Sequence, residues 1–141
     1  MIFNKVAAIS LVAVAMTQPA LSRDFRFESA VGTKTIDEIV NNMNRKVPLI
    51  ENKLATIIRA SREDRTLVEE IELTPYAEEA INNFSADKFR RVLYDATLER
   101  YCYGTLKLLS DTDVSLKLIF YRQRTEFYRV FLIPVTCTIV N

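Results

Sequence analysis

Two cysteines, a cluster of glutamates and a complete lack of histidine define what chemistry this chain can attempt. Without histidine the commonest general base near neutral pH is gone, and with it Ser-His and Cys-His nucleophile systems and most zinc sites. Cys102 and Cys137 lie too far apart for the C-x-x-C pattern of a redox pair, and two thiols alone do not complete a structural zinc site. Two glycines cannot build a phosphate-binding loop or a dinucleotide turn. Carboxylates remain. A pair drawn from Glu69, Glu70, Glu78 and Glu79 could serve as acid and base of a small hydrolase. Surface acids are far commoner than catalytic pairs, so this is the alternative reading. Asp111-Thr112-Asp113 has the start of a calcium loop without its remaining ligands and is expected to be a turn or cap. The chain reads as non-enzymatic, with no cofactor and no metal.

The elements that must position these residues begin with a leader. Val6 to Met16 is an apolar run flanked by Lys5 and by small residues at Ala20 and Ser22. A transmembrane helix needs about 20 residues, so the run suits a signal peptide over 1–22, cut after Ser22. An uncut N-terminal anchor is the alternative. Residues 23–141 then form one domain with one core and no stable membrane anchor, periplasmic or secreted. Export brings the cysteines into an oxidising compartment. A Cys102–Cys137 disulfide would close a loop of about 36 residues and contribute roughly 4 kcal/mol; two free thiols or a redox pair are the alternatives. The formal net charge of +1 includes Lys5, so the exported chain is neutral and no nucleic acid is expected as partner.

Hydrophobic spacing supplies the architecture. Thr35-Ile36-Asp37-Glu38 reads as a capping box, followed by an apolar stripe of Ile36, Ile39, Val40 and Met43 on a helix that ends near Arg45, before Pro48. Leu54–Ala60 and Thr66–Leu73 read as a hairpin joined by the charged stretch SREDR. Glu69, Glu70 and Glu72 suggest a solvent-facing or edge strand, and Pro75 ends or bends it. Ser85-Ala86-Asp87 starts a second helix, with a stripe of Phe89, Val92, Leu93 and Ala96 and an end near Tyr101. Gly104 is expected to take the left-handed conformation just beyond. Val114–Arg122 and Phe127–Val135 form a second hairpin, with Pro134 at its end or edge. The fold class is α+β: a two-layer sandwich of αββαββ order, a four-stranded antiparallel sheet with two main helices on one face.

This arrangement resembles a loose group of small exported bacterial proteins of unassigned activity. The residues that carry the likeness are Asn44 and Pro48, Cys102, Leu108-Leu109, Val114, Phe120-Tyr121 and Cys137. The chain departs from the group in its last hairpin, where RQRT replaces an Asp/Gly turn, and before it, where Asp111 to Asp113 lack a glycine. The resemblance implies an envelope or secreted protein and brings no catalytic residue with it.

Function is then expected to be contact. Lys117, Ile119 and Tyr121 share one face of a strand, and Phe127, Arg129 and Phe131 would line a face of its partner. If the faces coincide, they form a mixed aromatic and basic patch of the kind enriched at protein interfaces. The competing view is that this face is covered by the lead-in segment or by a partner subunit, because register is not readable from sequence. The favoured function is a protein-binding accessory factor or effector, with self-association left open. A carrier of an apolar ligand is a further alternative, and would need a cavity of about 300 Å³ or more.

Overall fold

The computed structural model describes residues 33–139. The expected signal peptide over 1–22 lies outside them. A helix whose described part runs over 33–44 (α1) leads into β1 (Leu49–Ile50), β2 (Ala55–Glu63) and β3 (Thr66–Leu73). Two helices, α2 (Pro75–Asn83) and α3 (Ala86–Cys102), and a single turn, α4 (Lys107–Asp111), follow. The chain returns to the sheet as β4 (Ser115–Arg122) and β5 (Thr125–Leu132) and ends its described part in α5 (Pro134–Ile139). No described helix is long and apolar enough to cross a membrane.

The strands form one sheet in the order β1-β2-β3-β4-β5. All pairings are antiparallel except β3 with β4, which is parallel. The α+β class and both hairpins are therefore as expected, but the four-stranded antiparallel sheet becomes a five-stranded mixed one. The cause is the crossover. Three helices between β3 and β4 return the chain to the end of the sheet where β3 began, so β4 must run the same way. One of these helices is new. Thr74 caps α2 by accepting from Ala77 N at 3.2 Å, with Pro75 just inside the helix; proline suits that position because its missing N–H would be unpaired there anyway. Pro75 thus ends β3, as expected, by starting a helix.

The strand β3 lies at the centre of the sheet, not at its edge. Leu67, Glu69, Ile71 and Leu73 point to the helical layer and Val68, Glu70 and Glu72 to the other face, following the pairings with Leu116, Leu118 and Phe120. The exposed edge of β2 is handled by β1 and then by one side chain. The Asn44 amide donates to Ala60 O at 2.9 Å and accepts from Ala60 N at 3.0 Å, imitating a further strand where β1 stops.

The helices sit on one face. Ile36 of α1 and Phe89, Leu93 and Tyr101 of α3 pack with Ile57, Ile71, Leu116, Leu118, Phe120, Val130 and Leu132. The buried side of α3 runs through Phe89, Leu93, Thr97 and Tyr101, rotated from the expected stripe, so that Val92 and Ala96 are exposed. Thr35 is not a cap, because the helix is already running at residue 33.

The end of α3 explains its two special residues. Gly104 does not adopt a positive φ. A Cβ there would stand 3.0 Å from Arg100 Cα and 3.3 Å from Arg100 O, so glycine eases the close return of the chain over the last turn and does not serve as a left-handed cap. Leu106 N then donates to Arg100 O at 3.0 Å. Cys102 is bonded to Cys137, with Cα atoms 5.4 Å apart. Cys137 lies just beyond the last strand, within α5, and α5 contains no buried residue. The covalent link is therefore a main anchor of that helix.

Candidate functional site

The expected patch lies on the face of the sheet opposite the helices. Lys117 pairs with Phe131 and Ile119 with Arg129 across β4 and β5, and cross-strand partners share a face. Lys117, Ile119, Tyr121, Arg129 and Phe131 are thus brought together. Phe127 is not. The register shifts between Phe120 and Tyr121, and this bulge turns Phe127 towards the helices. There it meets Phe89 edge-on at 6.2 Å and lies under Arg90 at 4.6 Å. A bulge inserts one residue and re-aims a side chain, which strict alternation does not anticipate.

The patch is less basic than its sequence suggests. Lys117 Nζ is 2.8 Å from Glu63 Oε1, and Arg129 Nη2 is 2.8 Å from Glu126 Oε1. The hydrogen bond from Arg129 holds the Glu126 carboxyl below its ordinary value, and the Glu126 carboxylate raises the guanidinium in turn. Ile119 is buried, and Phe131 is the large apolar side chain left exposed, at 56%.

The four candidate catalytic carboxylates are not assembled. Glu69 and Glu70 point to opposite faces of β3. Glu69 binds Arg100, Glu70 binds Arg59 at 2.7 Å, and Glu78 accepts from Arg122 Nε at 2.8–2.9 Å through both oxygens. Each is taken up by a different arginine, and no two of them converge on one cleft as an acid–base pair must. Asp111-Thr112-Asp113 forms the exit from α4 into β4, as a turn. Its Thr112 and Asp113 carbonyls accept from Arg65 at 2.9 and 3.0 Å, which ties the start of β4 to the start of β3. Among the described residues no cluster of potential ligands could hold a metal.

A second site was not expected from sequence. A groove of about 70 Å³ runs between α3 and the turn joining β1 to β2. Val92, Ala96 and Arg100 form one wall and Glu51, Asn52 and Leu54 the other, over a floor that includes Ile71, Leu118 and Phe120. The turn wall is braced. Asn52 Oδ1 accepts from Leu54 N at 2.7 Å, and Thr74 Oγ1 donates to Lys53 O at 2.6 Å. At the inner end, the fully buried Glu69 receives both Nη atoms of Arg100, at 3.0 and 3.1 Å. Burial works against the Arg100 charge, but the Glu69 carboxylate outweighs it and holds the guanidinium above its ordinary value. Glu51 Oε2 stands 3.3 Å from Arg100 Nε, which is buried and has no aligned hydrogen bond. Next in the chain, Tyr101 donates to Val114 O at 2.6 Å, and burial raises its phenol far above the usual range. The sequence did carry a signal for this groove: the stripe on α3 holds more apolar positions than one helix buries against one sheet.

No protein-family model and no curated protein matches the sequence. Solved structures do resemble it. A pilotin of the Vibrio vulnificus type 2 secretion system, EpsS, superposes with a TM-score of 0.63 at 12% identity, over 78% of this chain and 94% of that one. The type II secretion system pilotin AspS of Vibrio cholerae gives 0.59 at 16% identity, over 84% and 99%. A protein of Pseudomonas aeruginosa described as secreted gives 0.56 at 16% identity, over 78% and 96%. At these identities the likeness is one of fold: this chain has the architecture of two secretion-system pilotins across nearly their whole length.

Proposed function

We propose that this protein is a non-enzymatic accessory factor of a bacterial protein-secretion system, acting in the envelope by binding another protein. The observation that carries this reading is the fold shared with two pilotins, which is matched over 94% and 99% of their chains. The leader expected over 1–22 and the resemblance to small exported proteins support an envelope location, periplasmic or secreted. The arginine-bound state of Glu69, Glu70 and Glu78 argues against the hydrolase alternative. A carried apolar ligand needs roughly 300 Å³; the apolar groove offers about 70 Å³, and the larger hollows, of about 430 and 520 Å³, are shallow surface depressions with polar or charged residues in their lining. Contact surface is available on both layers: Lys117, Tyr121, Arg129 and Phe131 on the open face of the sheet, around the buried Ile119, and Val92 with Ala96 beside α3.

The test is genetic and biochemical. Deleting the gene in its host and comparing the proteins exported by the deletion strain and its parent should reveal a defined set that is no longer delivered. An unchanged set of exported proteins, together with unchanged assembly of the outer-membrane secretion complexes, would overturn the proposal.

A further inference from the structure

The groove beside α3 differs from the open face of the sheet in setting its charge against an apolar cleft. On the open face the cations are matched by carboxylates, as Arg59 with Glu70, Lys117 with Glu63 and Arg129 with Glu126. Glu72, on the same face, adds a carboxylate, but it lies along a polar row of ion pairs and not beside an apolar cleft. At the inner end of the groove two carboxylates, Glu51 and Glu69, face the single guanidinium of Arg100. Both Nη atoms of that guanidinium are committed to Glu69, so it has no fork to offer an anion. Along the walls Val92 is 51% exposed and Ala96 is exposed. The space has the size of one aliphatic side chain, over an apolar floor.

We infer that this groove docks a basic, aliphatic segment of a partner protein, seating one aliphatic side chain between Val92, Ala96 and Leu54 and holding a neighbouring lysine or arginine on Glu51. The inference deepens the accessory-factor reading and rests on it. Apolar burial supplies affinity, and the surplus carboxylate supplies selection: a basic neighbour is attracted, whereas an acidic one meets like charge beside a low-dielectric wall. The braced turn over Glu51–Leu54 leaves little ordering to be done on binding.

The probe is a blocked Lys-Leu-Lys peptide titrated into the isotope-labelled protein, exported whole by an expression host and followed by amide chemical shifts. The peptide should shift Leu54, Val92 and Ala96, while Glu-Leu-Glu and Lys-Ala-Lys peptides should bind at least tenfold more weakly. Ala96→Arg, at an exposed helical position, should abolish the shifts with an unchanged circular dichroism spectrum. Glu51→Gln should weaken Lys-Leu-Lys several-fold but leave a Ser-Leu-Ser peptide unaffected. Equal binding of the three charged-series peptides, shifts centred on Lys117 and Phe131, or no binding would overturn the assignment. A second arm separates the two proposals. If deletion impairs export and an Ala96→Arg copy restores it fully, the groove is not the docking site although the accessory role stands. If deletion leaves export intact, the accessory role fails, and with it the inference that rests on it.

Discussion

Glu69 and Glu70 follow one another on β3, yet Glu69 is fully buried against Arg100 while Glu70 meets Arg59 on the open face, with 65% of the Arg59 side chain exposed. The residue type and the kind of partner are the same. The surroundings differ, because successive residues on a strand point to opposite faces. An ion pair in water contributes little, since solvent screens it and two long side chains lose freedom to form it. A buried pair has already lost its hydration. Removing one partner leaves the other charge stranded at a cost of several kcal/mol, even where replacing both by apolar groups would be neutral. The inner pair therefore locks α3 to the sheet, and the outer pair is decoration that keeps the open face soluble.

The strongest way to break this comparison is Arg100→Ala. It should destabilise the protein by about 3–5 kcal/mol in urea unfolding, and the double change Glu69→Leu with Arg100→Met should recover most of the loss. If the single variant costs less than about 1 kcal/mol, the two faces are equivalent after all. Replacing Cys102 and Cys137 together by alanine should cost about 2–4 kcal/mol, with amide exchange increasing first in α5, which the disulfide anchors.

The third test uses Tyr101. Burial raises its phenol, so the unfolded chain, with an ordinary value near 10, releases its proton first. The stability it contributes is complete below pH 10 and is lost as the pH rises towards the folded value, by about 1.4 kcal/mol per pH unit. Tyr101→Phe should cost about 1–2 kcal/mol at neutral pH and remove this part of the alkaline slope. An identical alkaline profile for variant and parent would show that the phenol is not held neutral. The smallest effect is expected at the surface: Glu70→Ala should change stability by less than about 0.5 kcal/mol, with the difference shrinking further in salt.

Local signals carried much of the fold. The serine at 85 does cap α3, accepting from Lys88 N at 3.1 Å, and the alternation of Leu116, Leu118 and Phe120 does mark one face of β4. Thr74-Pro75 with Glu78 also announced a helix, but a strand was ending there and the proline was read only as a stop. The two-residue turn at Gln123 and Arg124 places both at positive φ, 51° and 68°, a conformation usually given to Asn and Gly. The ladder on either side, not the turn residues, imposes it. Five of the six patch residues share one face, and Phe127 is lost to a bulge and packs against Phe89 instead. Of the groove only the surplus apolar positions on α3 were legible, since it forms where residues distant in sequence, Glu51, Ala96 and Phe120, converge.

The amino-acid sequence by itself determined what depends on neighbours along the chain: the helix with its cap, the two hairpins, and the absence of any histidine-based chemistry. Tertiary structure decided the parallel pairing of β3 with β4, the burial of Glu69, the role of Gly104 and the site beside α3. The physical reason is range. Periodicity and capping are set by side chains a few residues apart, whereas the direction in which a strand joins a sheet, and whether a carboxylate meets water or an arginine, is fixed only when the whole chain has packed.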